Sequence, residues 1–481
     1  MIELRPVVFI LGILLSILAV AMVIPAMVDA MVGHPDWQVF SAASGTTLFV
    51  GVSMILTSRS GWSGFSVRQA FVLTTLAWVV IASFGSLPFA YSELGLSVTD
   101  AFFESMSGVT TTGSTVIVGL DSAPPGILLW RAILQWLGGI GIIVMAISVL
   151  PFLRVGGMQM FRVEAFEADK ILPRAAQIAA GICLIYISLT LIAALALWAL
   201  GMTGFEAVAH AMTAIATGGY STSDQSLAHF NNPAIDMTIS LVMLLGSMPF
   251  VLHLRAVRGD PMAPLRDSQV HWMFGLLGLA IASMAAWLWF NGLMPLGEAL
   301  RHSIFNVISV MTGTGYTSDN FGAWGGFASA VLFSLMFFGG CAGSTTCGMK
   351  IFRFQVLHAT AMVQFKRLLQ PNGVFFAYYN RKPIPDSVTA SVLGFFFLYV
   401  ASFAVLATGL GLFGLDFVTA VSGAATAISN VGPGLGDIIG PTGTFKPLPD
   451  AAKWLLTAGM LLGRLELFTV LVLFTPAFWR G

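Results

Sequence analysis

The chain has 481 residues, of which 57% are hydrophobic and only 9% charged, with a mean hydropathy of +0.88. Water-soluble surfaces draw on a charged fraction several times larger, so a soluble globular domain is excluded and a membrane protein is indicated. The 22 basic and 22 acidic residues cancel; their distribution rather than their sum is informative, and no nucleic-acid partner is expected.

Ten apolar stretches reach the ~20 residues that a ~30 Å hydrocarbon core requires. In chain order they are 6–29, 39–57, 69–90, 126–150, 177–200, 234–254, 270–292, 327–357, 388–411 and 453–478. No small-x-small cleavage site closes the first, and Pro25 and Asp29 stand there instead, so it reads as a retained helix. Ten spans place both termini on one side. From the third span onward, every second connection then falls on the other side and carries one copy of a short motif: TTTG at 110–113, ATGG at 216–219, TGTG at 312–315 and SNVG at 429–432. The last glycines, Gly113, Gly219, Gly315 and Gly432, recur at intervals of 106, 96 and 117 residues. Four copies in equivalent places predict four backbone segments converging on one axis.

Charge fixes the orientation. Seventeen of the 22 basic residues, among them Arg59, Arg154, Arg162, Lys170, Arg174, Lys350, Arg353 and Arg381, lie opposite the motifs, which makes that side cytoplasmic. The motif side holds fourteen acids, including Asp29, Asp100, Glu104 and Asp236, against Arg131, Arg301, Lys446 and Lys453. Facing outward, such an excess concentrates cations at the mouth of a pore.

Before the motifs stand short helical stretches at 99–109, 205–215, 298–311 and 416–428, each with an acid near its start: Asp100, Glu206, Glu298 and Asp416. Carboxylates there satisfy free amides and complement the positive end of the helix dipole. The stretches are too short to cross and must re-enter the side they came from, which is tolerated only where backbone lines a cavity. Four carboxyl-terminal ends then aim roughly half a negative charge each at the axis. Turning successive carbonyls inward needs positive φ, which glycine adopts at little cost. No carboxylate interrupts the four motifs, which argues against a calcium-type filter. The units are all parallel, unlike the inverted repeats of many secondary transporters. Metal-ligand spacings, catalytic clusters and nucleotide loops are missing, so neither an enzyme nor a cofactor is expected. Cys183, Cys341 and Cys347 read as free thiols.

The stretches VTTTGST (109–115), LQWLGGIGIIVMAISVLP (134–151), GGMQMFR (156–162), LPRAAQI (172–178), ATGGYST (216–222), MTGTGYTSDN (311–320), GGCAGSTTCGMKIFR (339–353) and SNVGPGLG (429–436) make the chain resemble the Trk/Ktr/HKT superfamily of potassium transporters, most closely its bacterial TrkH branch. The resemblance implies an all-α polytopic membrane protein: two leading helices (1–68), then four helix, pore-helix, filter and helix repeats (69–152, 153–258, 259–360 and 361–481) set pseudo-fourfold about a pore. It implies potassium uptake across the bacterial inner membrane by a homodimer, with both termini cytoplasmic and a TrkA-type nucleotide-binding protein as regulatory partner. Residue by residue it places the filter at Thr111, Thr112, Gly113, Thr217, Gly218, Gly219, Gly313, Thr314, Gly315, Asn430, Val431 and Gly432, with potassium as the bound and transported ion. Some plant relatives that favour sodium have serine at the first glycine; Gly113 here points to potassium. The TGTG of the third copy departs from the threonine-rich form common in the family.

Two features lie apart from the filter. GGCAGSTTCG at 339–348 puts glycine and serine in the middle of a span, where both disfavour helix, so a break is expected. A close helix–helix contact is the alternative. Arg464 stands mid-way along the last span, where exposure to lipid would cost ~2.5–3.5 kcal/mol, so it is expected to face the pore or an ion-pair partner. Glu466, two positions on, does not share its helical face. The resemblance implies that Gly339, Gly340, Gly343, Ser344, Thr345, Thr346 and Gly348 form an intramembrane gating loop, and that Arg464 acts as a positive barrier beneath the filter. Lys350 and Arg353 are expected to be interfacial anchors.

Overall fold

A computed structural model of the chain describes residues 3–59, 66–148, 171–380 and 382–480. Arg154, Arg162, Lys170, Arg381 and the stretch 156–162 lie outside the described residues, as do the side chain of Arg174 and the expected junction between the first two repeats. Among the described residues, beyond one two-residue ladder pairing Tyr378–Tyr379 with Lys382–Pro383, the regular structure is helical.

Helices α1 (Arg5–Val32) and α2 (Trp37–Ser58) form a hairpin. They cross where Gly12 faces Gly51: a Cβ on Gly12 would lie 2.7 Å from the Gly51 carbonyl oxygen, so only small residues allow this approach. The chain then alternates long helices with short ones. Helix α3 (Val67–Gly85) precedes α4 (Val98–Val109) and α5 (Pro125–Ser148). Helix α6 (Ile171–Ala199) precedes α7 (Gly204–Ile215), α8 (Pro233–Ser247) and α9 (Phe250–Val257). Helix α10 (Ser268–Phe290) precedes α11 (Leu296–Met311), α12 (Gly326–Met336) and α13 (Ile351–Leu369). Helix α14 (Asp386–Leu412) precedes α15 (Phe417–Ser429), α16 (Asp450–Arg464) and α17 (Leu467–Leu471).

Among the described residues, seven helices are long and apolar enough to cross a membrane unbroken. Three expected spans are not continuous. Stretch 327–357 splits into α12 and α13 around a non-helical segment, as its glycines predict. Stretch 234–254, read as one helix, bends by 98° between α8 and α9. Pro249 explains it: Met248, just before the proline, is extended (ψ 156°) and ends α8. Stretch 453–478, also read as one helix, bends by 113° after Arg464, where Glu466 takes φ +59°. Gly463 stands just before that break.

The short helices α4, α7, α11 and α15 are the predicted half-helices, but among the described residues only Glu206 and Asp416 of the four expected acids bond free amides at the start. Ser97 accepts from the Asp100 amide at 3.1 Å, Thr203 and Glu206 form a reciprocal capping box, Glu298 lies in the first turn of α11, and Asp416 itself caps α15. The hydroxyl and amide of Thr419 hold the Asp416 carboxyl below the usual carboxylate range.

Candidate ion pathway

Each half-helix ends in the same way. The residue two before the last motif glycine takes a left-handed conformation: Thr111 (φ +53°), Thr217 (+51°), Gly313 (+69°) and Asn430 (+53°). The next amide reaches back five residues, Thr112 to Ser107 at 2.8 Å, Gly218 to Thr213 at 2.9 Å, Thr314 to Ser309 at 2.9 Å and Val431 to Thr426 at 3.1 Å. This is a Schellman ending, which satisfies terminal carbonyls while turning the chain sharply. Three of the four left-handed residues are not glycine, each at a cost of about 1–3 kcal/mol. The last glycines are left-handed too, with φ of +86°, +74°, +81° and +110° for Gly113, Gly219, Gly315 and Gly432. Alternating handedness turns successive carbonyls to one side.

The four segments close on one another. A Cβ on Gly113 would collide with the carbonyl oxygen of Gly218, one on Gly219 with that of Thr314, and one on Gly315 with that of Val431; one on Gly432 would lie 2.9 Å from that of Thr112. Copy one abuts copy two, two abuts three, three abuts four, and four returns to one. The order is cyclic. Gly113, Gly219, Gly315 and Gly432 all line one cavity, whose walls also include Arg131 and Asp224. Thr111, Thr112, Thr217, Thr314, Asn430 and Val431 are buried.

Residues 339–348 lie directly below this ring. The Thr345 hydroxyl donates to the carbonyls of Ile215 (3.1 Å) and Gly246 (2.9 Å) and lies 3.2 Å from the Thr217 hydroxyl. Cys347 Sγ lies 4.0 Å from the Thr111 hydroxyl. The break between α8 and α9 supplies the anchor: the Cys341 and Thr345 amides donate to Ser247 and Gly246, and Phe250 N donates to the Gly343 carbonyl. Thr346 Oγ1 accepts from the Gly340 amide and contacts the Ser344 hydroxyl at 2.7 Å. Gly343 and Gly348 are left-handed. Gly339 N donates to Met349 O at 2.9 Å, which closes the segment at its neck. Arg464, at the end of α16 rather than mid-helix, is buried and reaches this loop. It donates to the Thr345 carbonyl (3.0 Å), to Cys347 Sγ (2.6 Å) and to the Gly138 carbonyl (2.8 Å). Among the described residues, its hydrogen-bond partners are carbonyls and a thiol, not a carboxylate.

The family model for TrkH, a cation transport protein, matches residues 37–278 and 290–480. The chain belongs to the TrkH family. The Trk system potassium uptake protein TrkI of Halomonas elongata is 49% identical over 478 residues, covering 99% of this chain and 97% of that protein. TrkH of Escherichia coli K12 is 37% identical over 482 residues, 99% of both. The crystal structure of the potassium transporter TrkH from Vibrio parahaemolyticus covers 100% of both chains at 36% identity with a TM-score of 0.93. The chain is therefore an all-helical, multi-pass membrane protein of a transport family rather than an enzyme.

Several charges expected on the outer surface of this TrkH-family chain are internal. Glu104 and Arg131 pair at 2.8 Å with side chains at most 1% exposed. Asp236 is buried against Arg301 at 2.7 Å, and Asp100 meets Lys453 at 2.6 Å. Asp29 is buried, accepting from the Gly126 amide. Pairing with a basic side chain explains Glu104, Asp236 and Asp100, because an unpaired charge would not be buried there; Asp29 is held by the Gly126 amide instead. Lys350 and Arg353 are not interfacial anchors either. Lys350 is half-buried and donates to Thr346, whereas Arg353 is fully buried, paired with Glu466 and stacked 3.7 Å above the Phe395 ring. Cys183, Cys341 and Cys347 are free. Among the described residues, no cluster of three or more His, Cys, Asp or Glu side chains is arranged to hold a metal ion.

Sequence reasoning missed the supports behind the ring. Six positions before each last glycine stands a hydroxyl: Ser107, Thr213, Ser309 and Thr426. Ser107 and Ser309 donate to the carbonyls of Ser114 (2.6 Å) and Tyr316 (2.7 Å), Thr213 bonds the Tyr316 hydroxyl, and Thr426 accepts from the Gly432 amide at 2.9 Å. The regular offset was a readable signal. Glu104 accepts from Val116 N (2.9 Å) and the Thr115 hydroxyl, while Arg131 donates to the Ser221 carbonyl (2.8 Å) and lies 4.0 Å above the Tyr220 ring, tying copies one and two together. That contact spans too much sequence to be seen in it.

Proposed function

We propose that this protein takes up potassium selectively across the bacterial inner membrane, the ion passing along the axis of the four-segment ring. The carrying observation is the cyclic contact between each last glycine and a carbonyl of the next copy, which brings the four segments together and leaves no room for side chains at those positions. Carbonyl rings of this kind replace the hydration shell of potassium. Thr111, Thr112, Gly113, Thr217, Gly218, Gly219, Gly313, Thr314, Gly315, Asn430, Val431 and Gly432 form the filter in this reading, and the potassium-uptake names of its relatives agree with it.

The loop of Gly339, Gly340, Gly343, Ser344, Thr345, Thr346 and Gly348 is the gate, latched by Arg464. A fixed guanidinium repels a cation at ~4 Å by about 4 kcal/mol at an effective dielectric near 20. Residues 1–68 lead four repeats at 69–152, 153–258, 259–360 and 361–481, and both termini are cytoplasmic. The protein works as a homodimer, and a TrkA-type nucleotide-binding protein docks on its basic cytoplasmic face to move the loop. Reversal potentials of the purified protein in liposomes under separate potassium, sodium and proton gradients test the reading. They should follow the potassium gradient; potentials that follow sodium instead would overturn it.

A further inference from the structure

The second filter copy is the one with glycine immediately before its last glycine: Gly218 stands where the others have Thr112, Thr314 and Val431. The structure shows what fills that space. A Cβ on Gly218 would collide with all three terminal atoms of Gln135, at 2.4–2.8 Å, and that side chain is fully buried. Gln135 Nε2 donates to the Gly218 carbonyl at 2.6 Å, and its Oε1 accepts from the Tyr220 amide at 3.1 Å. One side chain from helix α5 therefore grips the filter backbone on both sides of Gly219.

The equivalent helices of two other repeats differ at this point. Gly138, Gly246 and Gly463 each press on a carbonyl four residues before the filter glycine of their own repeat, at Val109, Ile215 and Ile428. Three positions before these glycines stand Gln135, Met243 and Met460, all fully buried. Among these three helices the polar side chain stands on the one that meets Gly218, and methionine stands on the other two. A buried amide with both ends bonded fixes orientation more narrowly than a flexible thioether. The Gly218 carbonyl also faces Gly113 of the adjacent copy, so its angle sets the spacing between copies one and two.

We infer that Gln135 is a positioning residue that sets potassium over sodium selectivity by orienting the Gly218 carbonyl in the ring. The inference rests on the filter reading above. Its test is the bi-ionic reversal potential of Gln135→Met and Gln135→Glu in liposomes, beside wild type. Met keeps volume and removes both hydrogen bonds; Glu keeps the acceptor for Tyr220 and turns the donor into a second acceptor facing a carbonyl. Both variants should lower the potassium to sodium permeability ratio at least fivefold, the methionine variant without a matching loss of total cation flux. A purely structural role would change yield or total flux and leave the ratio alone. If either variant, recovered as a monodisperse protein, kept the wild-type ratio, Gln135 would be a packing residue only. Should Gln135→Met aggregate, Gln135→Met combined with Gly218→Thr installs the side-chain pairing of the other repeats; its recovery with a lowered ratio supports the inference, and recovery with the wild-type ratio, or no recovery, overturns it. Wild-type protein without potassium preference would instead sink the filter reading itself.

Discussion

Replacing Gly113 with alanine strikes the ring where it is least able to yield. At φ +86° an L side chain costs about 1–2 kcal/mol. The added methyl would also overlap the Gly218 carbonyl oxygen, and that oxygen has no retreat because Gln135 Nε2 sits 2.6 Å from it. Forced overpacking costs about 1–3 kcal/mol, so the sum is about 2–5 kcal/mol. The segment relieves it by shifting, and a shift that widens one side of the ring penalises potassium more than hydrated sodium. If about 1.4 kcal/mol of the cost appears as a difference between the two ions, the permeability ratio falls tenfold. Serine at this position acts the same way. Bi-ionic reversal potentials in liposomes give the ratio directly. Gly33→Ala is the control: Gly33 is also left-handed (φ +74°), but nothing lies within 4 Å of the methyl it would gain. It carries the backbone cost without the collision and should leave the ratio unchanged. An unaltered ratio in Gly113→Ala, or an equal drop in Gly33→Ala, would refute the ring argument.

Three further outcomes are expected. Arg464→Ala removes a fixed positive charge and its bonds to Thr345, Cys347 and Gly138, so tracer potassium flux should rise and depend less on the regulatory partner while selectivity holds; unchanged or lower flux in a folded variant would deny it a barrier role. Glu104→Ala strands Arg131 in a buried site, which costs about 3–5 kcal/mol. Thermal unfolding in detergent should shift down markedly, and a shift no larger than that of an exposed control such as Asp121→Ala would count against the brace. The Asp416 carboxyl is held below its ordinary value by Thr419, so its folded pKa lies below its unfolded one. Its contribution is therefore full at neutral pH and is lost as the pH falls through the folded value. Asp416→Asn should flatten that acid limb of the thermal stability profile, and an identical limb in the variant would show that another group causes it.

Much of the architecture was readable because it rests on local demands. A span needs an unbroken apolar run, a half-helix shows itself by a capped start and insufficient length, and Gly113, Gly219, Gly315 and Gly432 mark backbone that bends left-handed. The glycines at 339–348 announce a broken helix for the same reason. Pro249 also foretold a bend that the hydropathy of 234–254 concealed.

Sequence alone determined where the long apolar stretches lie and where the four half-helices and their left-handed glycines fall, but it read as continuous two spans that bend by 98° and 113°, since hydropathy, dipoles and φ requirements act within a few residues. Only the tertiary structure decided which copy abuts which and therefore that four turns make one ring, with Gly432 returning to Thr112 across more than three hundred residues. It also decided that Glu104 and Asp236 are buried beside arginines rather than exposed at the mouth, that Glu466 breaks the last helix and serves Arg353 rather than Arg464, and that Gln135 occupies the space left by Gly218. Each of these depends on the shape and charge of a distant neighbour. Packing alone brings such neighbours within reach, and local sequence carries no record of who they are.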